Sequence, residues 1–169
     1  TANTLAAAVA GATHLNTTVN GLGERAGNAA LEEVVVGLKQ LYGIKTGVDL
    51  QHFTKLSAQV AAASGDTIGS RKSLIGRAVF SHEAGIHVDG LLKDINNYQG
   101  VDPALVGRQH QLVLGKHSGS RSVMHAYQAM GIRINRPQAN RLLPIIREFV
   151  SANKRTPQLG DLNQFLCLI

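Results

Sequence analysis

The segment Asn16-Thr-Thr-Val-Asn-Gly-Leu-Gly-Glu-Arg-Ala-Gly-Asn28 decides the fold class of this 169-residue chain. Residues 14–19 include two β-branched threonines and predict a short strand, and the glycines that follow predict a tight turn. Residues 29–41 carry apolar side chains at helical spacing, with two early glutamates and Gly43 just beyond, and therefore predict a helix. A strand, a glycine turn and a helix in this order are typical of an α/β protein with a parallel sheet.

The glycine-rich turn precedes a helix N-terminus, where free backbone N–H groups and the helix dipole favour an anion. A dinucleotide site needs the spacing G-x-G-x-x-G, but the third glycine here comes one residue late. No strand ending in Asp or Glu follows about 20 residues later, which also argues against a Rossmann site. The glycines fit both a structural turn and a functional loop. Asn28 can either cap the helix or offer its amide oxygen to a metal.

Most of the remaining chain is predicted to be helical. Asn3 is a candidate N-cap for the first helix, and Pro144 should kink or divide a late one. The predicted helices cover residues 4–10, 50–64, part of 78–93, 103–107, the region around 123–130, a region from 137 onward and another from 156 onward, and a short strand covers 111–114. The second half is therefore expected to be a mainly helical appendage.

Composition restricts the class of protein. All of the net charge of +6 lies beyond Gly100, where nine basic residues stand against three acidic ones and could attract a polyanion. Only 4% of residues are aromatic, which leaves little to stack on unpaired bases, so we expect no nucleic-acid partner. The single cysteine, Cys167, cannot form an internal disulfide and favours a reducing, cytoplasmic location. No stretch of about 20 apolar residues predicts a membrane span.

Two motifs approach known signatures without matching them. His82-Glu-Ala-Gly-Ile-His87 has one residue too many for the zinc motif H-E-x-x-H, so its histidines diverge around a helix. Glu83 and His87 are spaced i, i+4, and a carboxylate at that spacing could orient an imidazole for acid–base work. An ordinary structural histidine fits as well. Gly115-Lys-His-Ser-Gly119 lacks the first glycine of a P-loop, because position 110 is His110.

Five motifs, in this order, resemble the homocitrate synthase and 2-isopropylmalate synthase family. They extend over most of the chain, and the second and third are most similar to homocitrate synthases of nitrogen fixation. The motifs are Thr1-Ala-Asn-Thr-Leu-Ala-Ala7; Asn16 to Asn28 with Leu31-Glu-Glu33; Phe80-Ser-His-Glu-Ala-Gly-Ile-His-Val-Asp-Gly-Leu-Leu-Lys93; Asn97-Tyr98 with Asp102-Pro103; and Leu114-Gly-Lys-His-Ser-Gly119.

The resemblance implies an α/β fold made of the C-terminal end of a (β/α)8 TIM barrel followed by mainly helical linker subdomains. Residues 1–45 are then the last helix-strand-helix of the barrel, and residues 46–100 a helical linker subdomain with the catalytic His and Tyr. Residues 101–169 are a small, mainly helical C-terminal subdomain. In the family a His-x-His metal pair precedes the position of Thr1, so we expect a fragment of a longer enzyme or one half of a split one.

The resemblance also implies roles for individual residues. Asn28, the last residue of the Gly-Glu-Arg-Ala-Gly-Asn run, is the implied ligand of a divalent metal ion, either Mg, Mn or Zn. His87 and Tyr98 are the implied catalytic pair. In relatives this pair reaches the partner subunit's active site, so the implied partner is a second copy with a swapped linker subdomain, or the missing barrel half. We add Glu83, from helical spacing, as a catalytic support for His87.

The implied reaction is a metal-assisted, Claisen-type condensation of acetyl-CoA with a 2-oxo acid. The expected acid is 2-oxoglutarate, which would give homocitrate and CoA for nitrogenase cofactor synthesis. Synthesis of 2-isopropylmalate or citramalate from another 2-oxo acid stays open, and so does a non-catalytic dimerisation or polyanion-binding module. One barrel strand cannot close a barrel and one amide oxygen cannot hold a divalent ion, so we expect the 169 residues alone to be inactive.

Overall fold

The computed structural model describes the whole chain, Thr1–Ile169, as seven α-helices and two short strands. It divides into two compact units. The first consists of Thr1–Phe80 and Val101–Gln109, and the second of Ser81–Gly100 and His110–Ile169. The elements are α1 Ala2–Val9, α2 Leu31–Tyr42, α3 Phe53–Ser64, β1 Ser81–His82, α4 Gly85–Lys93, β2 Gln111–Leu112, α5 Ser120–Ala129, α6 Arg136–Asn153 and α7 Leu159–Leu166, with 3₁₀ turns at Val19–Gly21, Leu50–His52, Ile95–Tyr98 and Pro103–Val106.

Helices α2 and α3 carry the core of the first unit. Val35 and Val36 of α2 and Phe53 of α3 are at most 5% exposed and belong to one apolar cluster. Both helices end where the sequence predicts. The residues after them, Gly43 and Gly65, have left-handed φ angles of 67° and 78°, which glycine adopts without steric cost.

Helices α5, α6 and α7 enclose the core of the second unit. Val123 and Tyr127 of α5 and Leu142 and Ile146 of α6 are fully buried, in one apolar cluster that includes residues of α7. The Tyr127 hydroxyl donates a hydrogen bond of 2.7 Å to the Leu162 carbonyl of α7. Burial raises the pKa of Tyr127 to about 12, so this hydroxyl keeps its proton and holds two helices together.

The sheet is smaller than the sequence predicts. It consists of β1 and β2, which pair in parallel within the second unit, and β2 lies inside the predicted strand 111–114. The predicted strand at residues 14–19 was wrong. Only Thr18 pairs there, in a single parallel bridge to Ala30, because no other segment of this chain lies alongside to accept the ladder of hydrogen bonds that a strand requires.

Two predicted helix caps were also wrong. Helix α1 begins at Ala2, so Asn3 lies inside the helix. Helix α2 has Ala30 at its N-cap, so Asn28 lies before the helix and does not cap it. The capping interpretation of Asn28 is therefore excluded.

Pro144 does not divide α6, which runs unbroken for 18 residues. The buried residues Ala139, Leu142 and Ile146 lie on both sides of the proline, so packing against the core holds the two halves as one helix. Asn135 begins the helix through a capping box. None of the chain's helices combines the length and apolarity needed to cross a membrane.

Candidate functional site

His87 and Tyr98, the predicted catalytic pair, lie in contact in the second unit. His87 lies on α4, and Tyr98 ends the 3₁₀ turn that follows it. Their ring centroids are 4.4 Å apart, and the ring planes are tilted by 38°. Both residues are exposed, Tyr98 by 40%. The structure thus presents an imidazole and a phenol side by side, and both groups can transfer protons to a substrate.

Gly90 makes room for the Tyr98 ring. A Cβ at position 90 would lie 2.5 Å from Cε2 of Tyr98, so only glycine lets the ring lie on the helix backbone. The Asn97 side chain donates a hydrogen bond of 3.1 Å to the Gly90 carbonyl. The Asp94 carboxylate accepts the N–H of Asn96 at 2.9 Å and starts the turn. Glycine is a poor helix former, and Gly90 therefore has a packing role in α4.

Glu83 does not lie beside His87 on a helix, because α4 begins only after it. The i, i+4 argument was therefore wrong. Glu83 Oε1 instead accepts a hydrogen bond of 3.0 Å from the backbone N–H of His117, and the Glu83 carbonyl accepts one of 3.3 Å from Ser118 Oγ. A Cβ on Gly115 would overlap the Glu83 carboxylate. The turn at residues 115–118 is shaped to receive this carboxylate.

A charged contact holds α4 against α5. The Asp89 carboxylate pairs with Lys93 at 2.7 Å and with Arg121 at the start of α5. Hydrogen bonds from Lys93 and Arg121 lower the pKa of Asp89 below its ordinary value. These groups are partly exposed, so the contact orients the His87 helix more than it stabilises the fold.

The glycines of the turn at residues 21–27 have structural roles. Gly27 has a left-handed φ of 79°, and a Cβ there would overlap the carbonyl oxygen of Gly21. A Cβ on Gly23 would overlap the side-chain nitrogen Nδ2 of Asn28. The spacing of these glycines, which does not match the dinucleotide motif, is therefore explained by close contacts within the turn itself.

Asn28 lies in the first unit and offers one possible metal ligand. Its Nδ2 donates a hydrogen bond of 2.9 Å to the Leu22 carbonyl, so Oδ1 is the side-chain atom that can bind a metal ion. A divalent ion needs several ligands. No group of three or more His, Cys, Asp or Glu side chains in the chain could hold a metal ion. The residues present therefore do not make a metal centre by themselves.

A buried polar cluster that no sequence pattern indicates lies beside the turn. Asn20 has a left-handed φ of 62°; its N–H donates to Glu32 Oε2 at 3.1 Å and its Nδ2 to the Ser57 carbonyl at 3.0 Å. Glu32 and Ser57 are each 1% exposed. Burial raises the pKa of Glu32 above its ordinary value. The pair Asn20-Gly21 is a left-handed turn signal, but nothing local to it indicates a buried carboxyl group.

The raised pKa of Glu32 predicts a pH-dependent stability. Because the folded state holds the proton more tightly than the unfolded state, the stability from Glu32 is full below pH 4.5 and is lost as pH rises through the folded-state pKa. Glu32→Gln keeps the shape and cannot ionise. In urea titrations, its free energy of unfolding should rise relative to the native chain as pH increases from 4.5. Exposed Gln128→Leu is the control, since it changes no ionisable group and should show a constant difference. A constant difference for Glu32→Gln would contradict the prediction.

Part of the positive charge beyond Gly100 is used inside the structure. Arg108 donates a hydrogen bond of 2.6 Å to the Gly76 carbonyl. Arg155 forms two hydrogen bonds with the carboxylate of Asp161, at 2.6 and 2.9 Å. Arg147 donates to the Ser118 carbonyl at 3.1 Å. These contacts give the basic residues a structural function that requires no polyanion.

The sequence models of two protein families match the chain. "HMGL-like" matches residues 1–60, and "Homocitrate synthase post-HMGL domain-like" matches residues 74–154. The glycine-rich turn and Asn28 lie in the first match, and His87 and Tyr98 lie in the second.

Curated relatives match nearly all of this chain. 2-Isopropylmalate synthase 2 of Caldanaerobacter subterraneus subsp. tengcongensis is 47% identical over 92% of the chain and 40% of its own length. Homocitrate synthase 1 of a Nostoc species is 45% identical over 92% of the chain and 41% of its own length. A putative (R)-citramalate synthase of Methanopyrus kandleri is 45% identical over 95% of the chain and 30% of its own length. The chain thus spans well under half of each of these relatives.

Proposed function

Because the chain belongs to the homocitrate synthase and 2-isopropylmalate synthase family, we propose that it is part of an acyltransferase that condenses acetyl-CoA with a 2-oxo acid. The observation that carries the proposal is the ring contact of 4.4 Å between His87 and Tyr98. The two residues come from different motifs of the family and meet on an exposed surface, where a substrate can reach both.

His87 and Tyr98 serve the proton transfers of this reaction. Condensation removes a proton from the methyl group of acetyl-CoA, and negative charge then gathers on the former ketone oxygen of the 2-oxo acid. An imidazole can accept or donate a proton near neutral pH, and a phenol in contact with it can donate a hydrogen bond to a developing oxyanion. Water then cleaves the thioester and releases CoA.

The proposal includes groups that this chain does not supply. Residues 1–45 supply the last part of a (β/α)8 barrel, in which residues 14–19 become a strand only beside the rest of the barrel. Residues 46–100 are the linker subdomain with His87 and Tyr98, and residues 101–169 are a C-terminal subdomain. Asn28 contributes one oxygen to a divalent metal site whose other ligands come from the rest of the barrel. The linker subdomain of one copy completes the active site of its partner in a homodimer.

Glu83 enters the proposal as a residue that acts through the turn at 115–118 rather than directly on His87. Its hydrogen bond with His117 ties the segment before α4 to the segment before α5. This hydrogen bond therefore fixes the backbone just before α4, the helix that carries His87.

We propose 2-oxoglutarate as the 2-oxo acid and homocitrate as the product, serving nitrogenase cofactor synthesis. The support is the likeness of the second and third motifs to homocitrate synthases of nitrogen fixation. The relatives named as 2-isopropylmalate and citramalate synthases have nearly the same identity to this chain. Another 2-oxo acid is therefore the alternative, and the assay must compare the acids directly.

A chimeric enzyme tests the reaction. In the chimera, this chain replaces the matching 156 residues of the Nostoc homocitrate synthase 1. We expect CoA release that depends on acetyl-CoA and on a 2-oxo acid, measured with 2-oxoglutarate, 2-oxoisovalerate and pyruvate in parallel. A folded chimera that releases no CoA with any of the three acids would contradict the proposal.

The isolated chain should release no CoA under the same conditions. It forms no barrel strand on its own, and no group of three or more acidic, His or Cys side chains in it could hold a metal ion. The same preparation should regain activity only when the barrel portion is supplied. Turnover by the isolated chain would show that the barrel portion is not required.

A further inference from the structure

Three side chains outside the His87 and Tyr98 pair form a continuous hydrogen-bonded chain. His82 Nε2 lies 3.0 Å from His110 Nδ1, and His110 Nε2 lies 2.9 Å from Gln99 Oε1. The two imidazole centroids are 5.0 Å apart. All three residues are partly buried in the second unit. We call this arrangement the histidine chain.

The chemistry of Gln99 fixes the proton positions along the histidine chain. A carboxamide oxygen only accepts hydrogen bonds, so His110 must carry a proton on Nε2. A neutral imidazole has one N–H, which leaves His110 Nδ1 as an acceptor. His82 must then donate from Nε2. The geometry therefore requires His110 to be neutral with its proton on Nε2, and His82 to carry a proton on Nε2.

We propose that the histidine chain positions Tyr98 for the proton transfers of the proposed function, on which this inference rests. Gln99 directly follows Tyr98, at the point where the backbone leaves the 3₁₀ turn. The opposite end, His82, lies in β1, which is paired with β2. The histidine chain thus ties the residue after Tyr98 to the sheet. His82 and His110 are positioning residues, because they act on the phenol through Gln99.

Tyr98 is held from both of its neighbours. On one side the Asn97 side chain is bonded to the Gly90 carbonyl of α4, and on the other Gln99 is bonded to His110. Loss of either bond frees one side of an exposed residue. The ring would then sample positions away from His87, and a displacement of about 1 Å can lower a rate up to 100-fold.

Protonation of His110 would change the proton positions along the histidine chain. A proton on His110 Nδ1 would turn this acceptor into a second donor, so His82 would have to give up its Nε2–H or lose the hydrogen bond. The titratable groups that act on His82 are His110, before β2, and His87, on α4. Burial and then these two histidines lower the pKa of His82 below its ordinary 6.5, which favours the neutral form of His82.

Nuclear magnetic resonance of the 169-residue chain tests the proton positions without any activity. Long-range ¹H–¹⁵N spectra should show a fixed Nε2–H tautomer for His82 and for His110 at neutral pH. In Gln99→Leu, which has no acceptor, His110 should lose this preference and the nuclear Overhauser contact between the His87 and Tyr98 rings should weaken. Gln99→Glu, which keeps an acceptor oxygen, should restore the contact between the two rings. Unchanged signals in Gln99→Leu would overturn the inference.

The chimeric enzyme supplies the second measurement. Gln99→Leu should lower kcat about tenfold or more with little change in KM, Gln99→Glu should recover most of the loss, and exposed Gln128→Leu should have no effect. Equal kcat in Gln99→Leu and the parent would overturn the positioning role. An inactive parent chimera with the expected tautomers and ring contact would reject the proposed reaction but keep the histidine chain as the support of Tyr98.

Discussion

Replacing His87 with Asn in the chimeric enzyme should lower kcat by about 10² to 10⁴-fold, the range typical for loss of a general acid or base. The imidazole is exposed, so Asn at this position leaves no buried cavity; the substitution removes the imidazole and its contact with the Tyr98 ring. Tyr98→Phe should lower kcat less, because the ring contact survives and only the hydroxyl is lost. KM for acetyl-CoA should change little in both variants, since the lost interaction acts in the chemical step.

A matched histidine separates this effect from a general loss of structure. His125 lies on α5 in the same unit, and His125→Asn should leave kcat within about twofold of the parent. Equal turnover in His87→Asn and the parent chimera would remove His87 from the mechanism.

Leu142→Ala should lower the free energy of unfolding by about 3 kcal/mol, within the range of 2 to 5 kcal/mol found for large-to-small core changes. Leu142 is fully buried in the cluster of α5, α6 and α7, so the substitution removes buried surface and leaves a cavity. Chemical denaturation of the isolated chain measures the change. Because the cluster belongs to the second unit, we expect the loss in the transition that reports on that unit.

Leu168→Ala is the control for this prediction, since it makes the same chemical change at a residue that is 69% exposed. It should change stability by at most about 0.5 kcal/mol. A similar loss in both variants would mean that the cluster does not form the core of the second unit.

Features that depend on near neighbours were predictable from the sequence. Gly43 and Gly65 end their helices as expected, because the left-handed cap is a local conformation. Asp102 and Pro103 start a short turn for the same reason, with the Asp102 carboxylate accepting the N–H of Ala104. The prediction of a strand at residues 14–19 was wrong because a strand requires hydrogen-bonding partners elsewhere in the chain.

The candidate site was only partly predictable. The contact between His87 and Tyr98 follows from resemblance to a family, and no periodicity of the sequence indicates it. The Glu83 contact with His117 joins residues 34 positions apart, so helical spacing could not reveal it. In the sequence, His110 is notable only because it replaces the first glycine of a P-loop, although in the structure His82 and Gln99 contact its two ring nitrogens.

The way the two units share the polypeptide has a consequence for its biosynthesis. The chain leaves the first unit after Phe80 and returns for Val101–Gln109, which brings fully buried Val106 into the first core. When only residues 1–80 have left the ribosome, the core of the first unit is therefore incomplete. We expect the first unit to fold only after about 30 further residues have been synthesised. Genetic recombination within residues 80–110 would break both units at once, so viable crossovers should lie outside that interval.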